Sequence, residues 1–575
     1  VVQVHLDLSR PHQHLVGVSL RLQPRLSLMQ LRLPGWTPGS YLIRDYVRQL
    51  EGLHVEQDGV SLAVQRLGPA AWQITADPQA GELLIRYRVL ATEATVRTCH
   101  LDQHHGFLAL AAVVMEVEGE RWNAHHLQLQ LPGHWHAFVP LPEKERGWFA
   151  GDFDQLIDAP VEVGPHRVKH FAVAGVPHRW VCWAGAQGAD QWLDQRYPDL
   201  LQQVQQVCEA CCNLMGSTQP AAEHYLFVLH LLDEAYGGLE HDNSTVLVYG
   251  RRNFLKPNGY RRFLQLVAHE YLHQWNVRRL KPAELSPIDY HQPVVVPTLW
   301  FAEGITSYLD QFLPVMAGLT SSAALLEDLG EDLSRYRLTP GRHVQSLSDS
   351  SREAWVKLYK ADAYAPDSQV SYYLKGAVVA LCLDLHLRQQ GSSLVAVLRR
   401  LWTSHGCSAR GYQEQDLLAA FAAEAEDLLT LLPRWLHELD DPDLDGYLSG
   451  VGLQLEPVMA THPWTGFTAR VQGGQLLVSR VWRSAPAEQA GLMVGDEILA
   501  LDQERLLQPE QLEAALRSDQ PQKLLIARCS QLHELELSSA PPAVASYRLS
   551  ALEHVSELQQ RQQQHWLLQR SAALG

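Results

Sequence analysis

Cysteine is scarce in this chain, with 8 in 575 residues, and only Cys208, Cys211 and Cys212 lie close together. No second CxxC follows them, which argues against a metal ribbon or a disulfide framework. Their surroundings, RYPDLLQQVQQVCEACCNLMG, read as a helix, so the three thiols are expected in a core. Scattered thiols suit a reducing compartment, and a cytoplasmic location is the expectation. No secretory signal is visible; the chain opens on Val1 rather than Met, so a removed leader and a periplasmic location stay open. Runs of about 18 or more apolar residues are lacking, so no membrane partner is expected. Basic residues are in deficit too: 47 Lys and Arg against 64 Asp and Glu give a formal net charge of −17, with no basic stripe. That balance disfavours nucleic acid as a partner and reads as ordinary solubility.

What the chain does contain is one stretch with the grammar of a metal site, His269-Glu270-Tyr271-Leu272-His273, inside LQLVAHEYLHQWNVRRLKP. Residues four apart share a helix face, so His269 and His273 can turn two imidazoles toward one metal ion. Glu270 falls one step round the helix, where a general base for a metal-activated water belongs. Phe263, Leu264, Leu266, Val267, Tyr271 and Leu272 mark the helix as buried. Downstream, VVVPTLWFAEGITSYLDQF reads as a second helix opening at Pro297 and Thr298. Glu303 is the one carboxylate in its first two turns, among Trp300, Phe301 and Ile305. A carboxylate on an apolar helix is costly to bury unless it is paired or bound to metal. Two histidines and one glutamate make a catalytic zinc set with one position left for water, and one Zn(2+) per chain is expected.

HEYLHQWNVRRLKP followed by LWFAEGITSY resembles the glycyl aminopeptidase family of zinc peptidases. These are gluzincins, whose catalytic domains are similar to thermolysin and aminopeptidase N. The resemblance implies further site residues. Gly237-Gly238-Leu239-Glu240-His241 is similar to the GxMEN-type segment of relatives of aminopeptidase N. There the glycines let an edge strand approach the substrate, and the glutamate binds its free α-amine; Gly237, Gly238 and Glu240 are the corresponding positions. Leu239 stands where Met is frequent, and His241 replaces Asn, which leaves its role open. SQVSYYLKG resembles the YxKG segment, whose tyrosine donates to the oxyanion of the tetrahedral intermediate; Tyr373 is the match, with Tyr372 one residue away. Thermolysin-like enzymes carry an Asp four residues after the third ligand, where this chain has Ser307. The carboxylate that steadies a ligand histidine is therefore sought elsewhere.

The expected fold is multidomain α+β: an N-terminal β-rich domain over 1–165, a thermolysin-like zinc peptidase domain over 166–445, mixed and then helical, a C-terminal PDZ domain over 446–540 and a tail over 541–575. VVQVHLDLS, GVSLRLQ, LLIRYRVL and HHLQLQLP alternate as strands do. LPGWTPGSYLIRDY is a rigid turn cluster similar to the WTPGSY signature of the same family, and carries no evident chemistry. The pairs His104-His105 and His125-His126 are expected at the surface. EHYLFVLHLLDE and NSTVLVYG read as strands flanking the GGLEH segment. SAPAEQAGLMVGDEIL resembles the core of a PDZ domain, with PEQLEAALRS as its groove helix and KLLIARC as its closing strand, and such domains take peptide C-termini on a sheet edge. ALEHVSELQQRQQQHWLLQR reads as an amphipathic helix docking on its own chain.

These expectations converge on a zinc metallopeptidase of the aminopeptidase type. His269, His273 and Glu303 are its ligands, Glu270 and Tyr373 its catalytic residues, and peptides with a free N-terminus its substrates. The resemblance implies a small first residue, glycine or alanine. An endopeptidase or oligopeptidase of the same fold, and an inactive PDZ-bearing scaffold, are the alternatives. Oligomeric state is not legible.

Overall fold

The alternating stretches of the first 165 residues do form strands, in a computed structural model that describes residues 1–185, 189–517 and 520–569, the side chains of 189–191 excepted. The chain divides into two compact units that do not follow chain order. One comprises Val1–Val296, Leu309–Thr320 and Val395–Leu417. The other comprises Pro297–Tyr308, Ser321–Leu394 and the residues from Leu418 onward.

In the first unit, strand Val2–Asp7 buries every second residue, as VQVHLD requires. It pairs parallel to His125–Gln130 and antiparallel to Leu15–Leu22, within a sheet of eight strands among the described residues. Two four-stranded sheets complete this β-rich region, and one apolar core runs through it. Three of the four histidines expected at the surface are buried here: His105, His125 and His126. Their polar atoms explain the last two. The His125 ring sits 2.8 Å from the Asn123 carbonyl, and His126 bridges Gln3 and the Lys144 carbonyl. A bonded imidazole is tolerated inside a sheet as an unbonded one is not.

Beyond this region lies a five-stranded sheet, running in order Val168–Val173, Val176–Trp183, Tyr225–Leu232, Ser244–Gly250 and Tyr236–Glu240. Strand Tyr225–Leu232 is buried almost throughout and pairs parallel on both sides, which explains its continuous apolar run. Strand Tyr236–Glu240 is an antiparallel edge. The helix Gly259–Leu272, which carries the metal-site motif, lies against this sheet. Tyr271 stacks on Phe227 at 5.8 Å, and its phenol meets His178 Nε2 at 2.9 Å. Helix Leu200–Met215 packs on the motif helix, and Cys208, Cys211 and Cys212 are buried free thiols, as expected.

The second unit is mainly helical, with Ser322–Arg337 and Tyr372–Gln389 its longest helices. Residues 467–537 form a separate six-stranded sheet with short helices Pro486–Gln489 and Pro509–Ala515, in the stretch where the sequence resembles a PDZ domain. Strands Leu453–Met459 and Val544–Ala551 pair antiparallel, and Leu549 packs against Gly330 of helix Ser322–Arg337. The tail helix Glu557–Leu567 docks on its own unit: Trp566 is fully buried and donates to the Tyr308 hydroxyl at 2.7 Å. Among the described residues no helix is long and apolar enough to cross a membrane.

Candidate active site

The motif helix ends at Leu272, and His273 caps it while keeping helical backbone angles. The rings of His269 and His273 therefore stay on one face, 4.6 Å apart and nearly perpendicular. Each ring is oriented through Nδ1. His269 Nδ1 lies 2.8 Å from Asp310 Oδ2, and His273 Nδ1 lies 2.7 Å from the Asn276 carbonyl oxygen. With Nδ1–H donating in both, the lone pair of each imidazole sits on Nε2, the tautomer that a metal ion takes. The donor chemistry of this pair fits zinc.

Asp310 is the orienting acid that the sequence left unassigned. It follows Glu303 by seven residues, not four, and is the first acid after it in GITSYLDQF. Asp310→Asn should lower metal affinity about 10–100-fold, since an amide holds the ring without reinforcing its basicity. Competition with a chelator measures this, and unchanged affinity would strip Asp310 of the role.

Glu270 and Glu240 are both buried beside His273. One carboxylate oxygen of each and a ring nitrogen of His273 lie within 4.8 Å of one another. Gly238 explains how strand and helix come so close. A Cβ there would stand 2.3 Å from Glu270 Cδ, so the glycine makes room for the glutamate. Gly237, at φ +150°, has open space where its side chain would be. On its other side the Glu240 carboxylate is pressed by Gly39 of the WTPGSY turn. That residue has φ +81°, and a Cβ on it would fall 2.6 Å from Glu240 Oε2. The turn therefore belongs to the site, which its sequence did not disclose. Trp36 anchors it by donating to the Asp289 carbonyl at 2.8 Å. Glu240 Oε1 is buried and has no hydrogen-bond partner among the described residues.

The residues around GGLEH account for Arg278 of the WNVRRLKP motif. Arg278 donates to Asp158 and Asp242, and His241 Nδ1 lies 3.2 Å from Asp158. Burial alone would raise Asp158, but Arg278 and His241 outweigh it and hold its carboxyl down at about 2. His241 thus serves an ion network that fixes the turn after Glu240. A cavity lined by Pro38, Gly39, Tyr41, Glu240, Arg278 and Lys281 opens beside it.

In the other unit, Glu303 is buried on a π-helical turn, Trp300–Gly304, that runs into helix Ile305–Leu309. The turn is clamped to the start of helix Tyr372–Gln389 through two glycines. A Cβ on Gly304 would stand 2.5 Å from Gly376 Cα, and one on Gly376 2.9 Å from Gly304 Cα. This contact accounts for the glycines of AEG and YLKG, and it sets Tyr373 near Glu303. Burial and, after it, the Glu303 carboxylate push the Tyr373 phenol well above its usual range, so it stays a neutral donor. Its oxygen is 3.3 Å from the Tyr359 hydroxyl, a neighbour with no sequence signature. Tyr372 stacks on Tyr373 and is fully buried, whereas Tyr373 is partly exposed.

Known proteins resemble parts or all of this chain. The family model described as M61 glycyl aminopeptidase matches residues 262–379, and the Peptidase M61 N-terminal domain model matches residues 3–165. A solved aminopeptidase N family protein from Idiomarina loihiensis is 29% identical, with 99% of this chain and 100% of that chain covered at a TM-score of 0.90. An M1 zinc metallopeptidase from Deinococcus radiodurans is 14% identical over 77% of this chain and 94% of its own, at a TM-score of 0.46. Aminopeptidase A from Legionella pneumophila, solved with aspartic acid, is 13% identical over 97% of this chain and 60% of its own, at 0.49. No curated protein matches the chain. The chain is a peptidase, similar to the M61 glycyl aminopeptidases over residues 3–165 and 262–379.

Proposed function

We propose that the chain is a zinc-dependent aminopeptidase that removes a small first residue, glycine or alanine, from peptides. The observation that carries this reading is Glu240 Oε1, a buried carboxylate oxygen beside Glu270 and His273 with no hydrogen-bond partner among the described residues. Such an oxygen costs free energy unless something cationic meets it, and the ammonium of a substrate N-terminus does so. Gly39 and Pro38 wall the Glu240 carboxylate, which favours a small first side chain. His269 and His273, with Glu303 as third ligand, would hold the catalytic ion. Bound there, zinc supplies Lewis acidity and makes a water easier to deprotonate.

The remaining work falls to the chain's own residues. Glu270 takes the proton of the attacking water and passes it to the leaving amine. Tyr373 donates its hydroxyl hydrogen to the oxygen that gains charge as the carbonyl becomes tetrahedral. Glu240 fixes the ammonium, and so sets which peptide bond is presented. Asp310 holds the His269 ring in register.

Glu240→Ala tests the reading. It should raise KM and lower kcat/KM for free-N-terminus peptides by about 10- to 160-fold, the loss of one charge-assisted hydrogen bond of roughly 1.5–3 kcal/mol. N-acetylated peptides should be poor substrates of the parent and lose little more in the variant. Efficient cleavage of N-acetylated peptides by the parent would favour the endopeptidase instead. We also read residues 467–537 as a PDZ module. Strand Phe467–Gln472 is one edge of that sheet, where a peptide C-terminus adds as a further strand. A labelled peptide with a free C-terminal carboxylate should bind more tightly than its amide; equal binding, or none, would refute this.

A further inference from the structure

Away from the motif helix, the first unit contains a second convergence of histidines around one carboxylate. Glu162, on strand Pro160–Gly164, is fully buried. His166 Nε2 lies 2.6 Å from its Oε1, and His230 Nε2, from strand Tyr225–Leu232, lies 2.9 Å from its Oε2. His105 closes the group. It is buried, stacks on Trp183 at 3.8 Å, and its ring centroid is 5.6 Å from that of His230 and 6.1 Å from that of His166. Among the described residues His105 Nδ1 has no hydrogen-bond partner, and Asp102 Oδ1 lies 3.8 Å from it. Donor atoms of His105, Glu162 and His230 all lie within 4.8 Å of one another. Gly164 lets the His166 ring fold back: a Cβ there would stand 2.5 Å from His166 Cε1.

Charge decides what this arrangement is for. A carboxylate removed from water needs a positive partner. Among the described residues, the ion-pair partners of Glu162 are histidines alone, with no Lys or Arg. The positive charge therefore comes from a proton on a crowded imidazole or from a metal ion. Two imidazoles and one carboxylate are a donor set that zinc takes, and His166 holds the other oxygen of Glu162. Donors around tetrahedral zinc at ~2.0–2.1 Å stand roughly 3.3 Å apart, so small side-chain shifts bring these into place.

We propose that His105, Glu162 and His230 form a second zinc site, with His166 orienting the Glu162 carboxylate. It ties the β-rich region, through His105 and Glu162, to the sheet whose edge strand carries Glu240. The site stands whether or not the peptidase reading holds.

The test uses the full-length His269→Ala/His273→Ala variant, which lacks the motif histidines. After stripping with a chelator and dialysis against zinc, elemental analysis should find one zinc per chain, against two in the parent. Loading with cobalt(II) should give the visible bands of a tetrahedral ion, and chelator should lower the Tm reversibly. Adding His105→Gln and His230→Gln should remove the remaining ion. A folded motif variant that takes up no zinc would overturn the proposal and leave a protonated histidine as the counter-charge. So would an ion that survives the added substitutions. If the quadruple variant fails to fold, the counts of two and one in the other proteins still decide the matter.

Discussion

Replacing Glu270 by glutamine should lower kcat by about 10²–10⁴-fold and leave the metal content of the chain unchanged. The side chain is buried and fitted against Gly238, whose missing Cβ is what admits it. Glutamine has the same shape, so the contact and the fold should survive. What the amide cannot do is take a proton from water and return it to an amine. Turnover of glycyl- and alanyl-p-nitroanilides, with elemental analysis of the same preparation, measures both halves. Full turnover in the variant would move the base elsewhere, and lost metal would make Glu270 part of the ion's environment rather than the acid–base group.

The second large effect is expected at Tyr373. Losing one donor to a developing oxyanion costs ~10²–10³-fold in kcat, about 2.7–4 kcal/mol. Tyr373→Phe should show it with metal retained, and Tyr372→Phe should do much less. The structural contrast between them is clear: Tyr372 is wholly in the core, while Tyr373 is partly exposed and carries its phenol near Glu303. Because burial and Glu303 both disfavour the phenolate, the defect of Tyr373→Phe should persist unchanged across neutral pH. The reverse ranking of the two tyrosines would reassign the donor.

Local periodicity made much of this legible in advance. Helical spacing of four brought His269 and His273 together, and strand alternation marked the N-terminal sheets. The buried Glu303 was visible as a carboxylate among aromatics. Three things were not legible, each for a physical reason. Asp310 escaped because its spacing from Glu303 departs from that of thermolysin-like enzymes. Gly39 escaped because its contact with Glu240 joins stretches far apart in the chain, and a missing Cβ leaves no local pattern. His105, His125 and His126 look like surface polar residues in a list of letters. Their burial depends on ring partners, or on neighbours such as Trp183 and Glu162, that only the fold supplies.

The hydrogen bond from Trp566 to Tyr308 joins residues 258 apart in the chain. Tyr308 lies in the helix that directly continues the Glu303 turn, and its hydroxyl also donates to buried Asp384. A ribosome adds about 5–20 residues per second, so Tyr308 emerges on the order of 13–50 s before the indole that completes its surroundings. For that interval the helical unit lacks one of its largest core side chains. The segment bearing the proposed third ligand is thus completed by a distant part of the described chain, late in translation rather than as its own residues appear.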